Sequence, residues 1–228
     1  MLFSILGVLS LITDVLPLIL LLKNRKLLHY APFRALLGWT IFSVLSDIMI
    51  IIVSDKHDQS VAFVSIIVEV VFACALYYVV SERKQFKRLF GAIGTIYTLF
   101  SIIYFSLLPP VGFVYWFGAL SVLLVLVLSF VLLFELFMAA TGVFLLRNPY
   151  VWFPLAYMIY CSGNIFLFAS SEYFPDIFST GDNGQDGTAW SIFLVANIFK
   201  NVLFLKSMQL ASKTWVNKQK NRLLAATG

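Results

Sequence analysis

Charge is what this sequence has least of. Only 12% of its 228 residues are charged, 61% are hydrophobic, and the mean hydropathy is +0.94. A soluble domain carries roughly a quarter charged residues, so the composition excludes one and points to a polytopic membrane protein. Histidine is nearly absent. His29 and His57 are the two, and both read as loop residues. That excludes intramembrane histidine catalysis, a Ser–His dyad and a histidine-based metal site. Cysteine is as scarce: Cys74 and Cys161 both lie inside apolar runs, so no disulfide framework is expected. The first apolar run has no basic residue ahead of it, no small-residue cleavage site, and Asp14 at its centre. It reads as a retained helix rather than a signal peptide. Internal repeats and low-complexity segments are missing too.

What is present is a series of long apolar runs. Seven of them, at about 2–22, 34–54, 60–81, 89–108, 114–140, 150–172 and 189–211, have the roughly 20 residues needed to cross ~30 Å of hydrocarbon. Helices are the expected form, because lipid offers backbone groups no partners. The all-round apolarity argues against a β-barrel. The expected fold is all-α, a seven-transmembrane-helix bundle over 1–212, with a short basic tail at 213–228.

Basic residues orient the bundle. Lys23, Arg25, Lys26 and Arg34 follow the first run, and Arg83, Lys84, Lys87 and Arg88 follow the third. Arg147 follows the fifth, and Lys213, Lys218, Lys220 and Arg222 lie in the tail. Lys56 stands alone on the other side, with Asp55, Asp58, Glu172, Asp176, Asp182 and Asp186. The positive-inside rule puts the N-terminus outside and the C-terminus in the cytoplasm of a bacterial inner membrane. The net charge of +5 reports this topology, and no nucleic acid is needed to explain it. Trp116, Trp152 and Trp190 near span ends fit an interfacial belt, with Trp215 just past the seventh span and Trp39 somewhat deeper. GDNGQDGT in the longest loop resembles the start of a calcium loop, but the twelfth position is Phe193, so it reads as a turn.

Five spans carry a strongly polar residue near mid-depth: Asp14, Asp47, Glu69, Asn164 and Lys200. Because successive spans reverse direction, all five fall at a similar level. Each charge costs roughly 2.5–3.5 kcal/mol at a helix centre on insertion scales, so an unpaired set is implausible. Helical spacing extends each into a stripe: Asn197, Lys200, Asn201 and Phe204; Tyr157, Tyr160 and Asn164; Ser65, Glu69 and Tyr77; Thr40, Ser43 and Asp47; Ser10, Asp14 and Pro17. The fifth span is nearly all aliphatic and reads as largely lipid-facing, with Glu135 near its hydrated cytoplasmic end. Lys200 either locks the bundle by pairing with a carboxylate or serves as an amine able to condense with an aldehyde. Glu69 is the first choice of partner, then Asp14 and Asp47.

The layout resembles that of microbial (type 1) rhodopsins: seven spans, an outside N-terminus, a lysine midway along the seventh and an acid on the third. The resemblance implies retinal as cofactor, a Schiff base at Lys200 and Glu69 as counterion. The arginine a turn before the third-helix acid is missing, Ala196 with Asn197 beside it replaces a seventh-helix aspartate, and Trp152–Pro154 begins its span instead of lying deep within it. Those departures favour a photoreceptor over an outward pump. Val151–Phe168 followed by NIFKNVLF (Asn197–Phe204) is also similar to a group of seven-span proteins common in Bacteroidota. That likeness implies one site containing Glu69, Ser162–Gly163–Asn164 and Lys200, and no activity. The alternatives are a non-covalent small-molecule sensor or a transporter. A two-carboxylate hydrolase ranks last, so no enzyme is expected. Expected partners are the lipid bilayer, a cytoplasmic signalling protein and further copies of the chain.

Overall fold

A helix covers most of each apolar run, and some helices extend past it. The computed structural model describes residues 2–52, 58–107, 114–139, 145–170 and 187–227. Within them lie seven α-helices and no strand. They are α1 (Leu2–Lys23), α2 (Ala31–Ile52), α3 (Asp58–Val80), α4 (Lys84–Leu107), α5 (Val114–Ala139), α6 (Trp152–Ser170) and α7 (Gly187–Thr227). The loop containing Asp182 and Asp186 lies outside the described residues, as does His57. α1 has 22 residues, about 33 Å at 1.5 Å per residue, close to the ~30 Å of a hydrocarbon core. α7 has 41 residues, roughly 60 Å by the same rise. It therefore continues well beyond its apolar stretch, carrying the basic tail as helix.

Among the described residues, four stretches are long and apolar enough to cross a membrane: Ile5–Lys23, Lys84–Tyr104, Trp116–Ala139 and Ser191–Thr214. Large apolar side chains also project outward from the bundle, among them Ile12, Ile96, Leu120, Phe134 and Phe137. A soluble protein does not expose such a surface, and lipid is the solvent that accepts it. The chain is accordingly described as an integral membrane protein.

Packing closes six helices into a ring. α1 lies against α2 and α7, α2 against α3, α3 against α5, α5 against α6, and α6 against α7. α4 packs on the outside of α3. Small residues permit the close approaches, as is usual where helices associate without water to drive them. A Cβ added to Gly94 of α4 would lie 3.0 Å from Cys74 Cβ of α3, and one added to Gly163 of α6 would lie 3.0 Å from Ala196 Cβ of α7. Tyr97 and Ser121 share a 2.7 Å hydrogen bond that ties α4 to α5.

α5 departs from the lipid-facing expectation on one side. Val125, Leu128, Leu132 and Leu136 are buried, at helical spacing, while Leu120, Val127, Phe130 and Phe134 remain exposed. The reason is geometric: an aliphatic helix can sit between α3 and α6 without any polar signature. Glu135 departs too. It is 2% exposed, and Oε1 accepts hydrogen bonds from Ser81 Oγ (2.9 Å), Glu82 N (3.0 Å) and Arg83 N (2.9 Å). The carboxylate is held in the α3–α4 turn, where those backbone N–H groups would otherwise lack helical partners.

Candidate functional site

The polar stripes converge inside the ring as two adjoining clusters. The first joins neighbours α1 and α7. Asn197 Nδ2 donates to Asp14 Oδ2 and to Ser10 Oγ, both at 2.9 Å, and Asn201 Nδ2 donates to Asp14 Oδ1 at 2.7 Å. Ser43 of α2 adds a longer bond to Asp14 Oδ1 at 3.4 Å. Asn197 and Asn201 are one turn apart, so one face of α7 grips a single carboxylate with two amides. Asp14 is 3% exposed, and its charge-assisted contacts replace the water it lacks.

The second cluster crosses the interior. α3 and α7 are not neighbours in the ring, so only long side chains bridge them. Lys200 Nζ lies 3.6 Å from Glu69 Oε1, with the two side chains 3% and 14% exposed. Tyr160 of α6 donates to Glu69 Oε2 at 3.1 Å. Two rings cover the amine: Nζ is 4.0 Å from the Tyr160 centroid and 5.1 Å from that of Trp39. A cation over desolvated ring faces gains about 2 kcal/mol or more. Lysine, carboxylate and two aromatics thus form a charge-paired box spanning α2, α3, α6 and α7.

Buried polar atoms in the box and elsewhere in the bundle are left unsatisfied. Glu69 Oε1 has no hydrogen-bond partner, the ion pair at 3.6 Å being its nearest compensation. Asn164, 0% exposed, has no partner for either Oδ1 or Nδ2. It lies one turn from Tyr160 on α6, next to the Gly163–Ala196 contact. An unmade bond in such surroundings costs about 1–3 kcal/mol per group.

The other expected site residues divide. Tyr157 is buried within an aromatic core, edge-on to Phe204 (5.7 Å between centroids) and to Tyr77 (6.0 Å). Tyr77 shares a 2.5 Å hydrogen bond with Ser129 of α5, which draws it away from Glu69. Asp47 belongs to α2, but its side chain lies outside the described residues. Ser162 is exposed on the outside of the bundle, so it does not join Asn164 and Lys200 in one site. Cys74 and Cys161 are free and buried. Among the described residues no cluster of His, Cys, Asp and Glu could hold a metal. Trp39 is the site residue that sequence reasoning placed elsewhere. Its signal is the spacing to Ser43, one turn along the polar stripe of α2.

Comparison with known proteins gives no match, whether to a family model, a curated protein or a solved structure. Function is therefore read from the site's own chemistry.

Proposed function

We propose that this is a seven-span protein of a bacterial inner membrane, N-terminus outside, that senses a small polar molecule held non-covalently beside the Lys200–Glu69 pair. One observation carries the reading: Asn164 offers a free donor and a free acceptor, and Glu69 a free acceptor oxygen, all inside the bundle. Groups of this kind in a lipid-embedded interior ordinarily find a partner or a guest. A guest that hydrogen-bonds both residues would couple α3 to α6, while Lys200 couples both to α7. The alternation of basic and acidic loops supports the topology. A cytoplasmic partner would read the helix movement. The test is mass spectrometry of small molecules released from protein purified out of native membranes. A polar compound should leave the wild type and be missing from Asn164→Leu; identical release profiles would sink the reading.

A second reading is covalent retinal at Lys200 with Glu69 as counterion. The 3.6 Å separation of amine and carboxylate favours it. The rings of Tyr160 and Trp39 would have to leave the amine, and Phe204, edge-on to both Tyr157 and Phe153, would have to make way for a polyene lying on that side. Adding all-trans retinal to purified protein decides this. A red-shifted visible band that disappears in Lys200→Ala supports it, and no band rejects it.

A further inference from the structure

Well away from the central box, α1 and α7 lie side by side at the end where the basic loops gather. There they leave a cleft of about 220 Å³, lined by Leu20, Asn24, Met208, Gln209, Ser212 and Lys213. One water claims ~30 Å³, so a phosphodiester group has room. The lining is amphipathic. Leu20 and buried Met208 form an apolar floor, while Asn24, Gln209, Ser212 and Lys213 supply polar groups and one cationic head at the mouth. No acidic residue lines it. Exposed Lys23, Arg25 and Lys26 adjoin Asn24 in sequence and extend the positive field. One turn deeper on α1 stands exposed Leu16, and two turns deeper than Gln209 on α7 stands exposed Val202. Both are apolar surfaces against which an acyl chain can lie.

We infer that this cleft is a binding site for an anionic phospholipid, its phosphate held by Lys213, Asn24 and Ser212 and its chains running along the α1–α7 groove. Three features coincide: donors without a competing carboxylate, an apolar floor continuous with the outer surface, and a position where the span meets the basic loops. Basic clefts between helices at a cytoplasmic face suit acidic headgroups, and nearby lysines and arginines raise their local concentration. Phosphatidylcholine also carries a phosphate, but its choline cancels the charge that Lys213 would answer. Free phosphate shares the headgroup chemistry and lacks the chains. The inference uses the proposed topology only to place this end at a leaflet surface.

The experiment is native mass spectrometry of the full chain in nanodiscs holding equal phosphatidylglycerol and phosphatidylcholine, followed by titration with inorganic phosphate. The wild type should retain phosphatidylglycerol in preference by about fivefold or more, the factor one lysine supplies near an anionic surface. Lys213→Glu should abolish that preference, while Arg88→Glu, exposed at the same end on α4, should keep it. Both residues are exposed, and circular dichroism checks that each variant remains helical. Equal retention of the two lipids, or a preference unaffected by Lys213→Glu, overturns the inference. So does displacement of bound lipid by millimolar inorganic phosphate, which would mark the cleft as a site for free anions.

Discussion

Lys200 reaches across the helix ring to Glu69, its Nζ 3.6 Å from Oε1, although α7 and α3 are not packed against each other. A lysine and a glutamate are long enough to meet there, and the Tyr160 and Trp39 rings fill the space around the amine. The pair therefore links α3 to α7 across the interior.

Removing one partner strands the other. Lys200→Met should cost about 3–5 kcal/mol, because it leaves a buried, uncompensated carboxylate. Glu69→Leu on top of it should recover most of that loss, since an apolar pair of similar volume needs no desolvation. Thermal unfolding of the single and double variants in detergent measures both. Additive losses would contradict the pairing.

The Asp14 cluster behaves as one unit. Asp14→Leu takes the shared acceptor from Asn197 and Asn201, leaving their amides only Ser10 Oγ and a 3.5 Å contact to Thr13 Oγ1, and the expected loss is about 1–3 kcal/mol. Asn197→Ala and Asn201→Ala should each cost less, near the ~0.6 kcal/mol typical between membrane helices. Once Asp14 is gone, neither alanine should add much, because the three residues share one set of bonds. A double-mutant cycle read by denaturant unfolding tests this.

Much of this arrangement was legible in residue spacing. Apolar runs of membrane length located the helices, because hydrocarbon thickness leaves few alternatives. Reversal of chain direction predicts one level for Asp14, Asp47, Glu69, Asn164 and Lys200, and the contacts of Asp14 with Asn197 and Asn201 and of Glu69 with Lys200 accord with it. Glu69 ranked first as partner for Lys200, but spacing alone could not separate the roles of the acids. That depends on which helices are neighbours, and the ring places α1 beside α7 and α3 across from it. The sequence sets Trp39 deeper than the interfacial tryptophans but gives it no role, because an aromatic side chain carries no mark of the cation it covers. Glu135 passed for a hydrated carboxylate because its partners, two backbone N–H groups and the Ser81 hydroxyl, belong to a turn more than fifty residues away in sequence.

That turn offers its own test. Glu135→Ala should expose the amides of Glu82 and Arg83 to exchange, with a loss of about 1–3 kcal/mol for the stranded donors. Glu135→Gln keeps an acceptor oxygen and should protect them in part. Hydrogen–deuterium exchange of the α3–α4 turn distinguishes the two, and unchanged exchange in the alanine variant would refute the clamp.

Gly163 sets the spacing of α6 and α7. A methyl group there meets Ala196 Cβ at 3.0 Å, so Gly163→Ala should cost about 1–3 kcal/mol by overpacking. Ala196→Gly in the same chain should restore most of the stability by vacating the opposing position. Loss without rescue, followed by melting temperature, would mean that the close approach is not the cause.

The most direct measurement is a high-resolution cryo-electron microscopy map of the chain in lipid nanodiscs, read around Lys200. The account predicts a carboxylate from Glu69 within about 4 Å of Nζ, the range over which opposite charges pair, with Tyr160 and Trp39 on either side of the amine. It also predicts non-protein density bridging Glu69 and Asn164. A Lys200 side chain directed out of the ring, or an Asn164 amide bonded to protein alone with nothing beside it, would contradict the central claim.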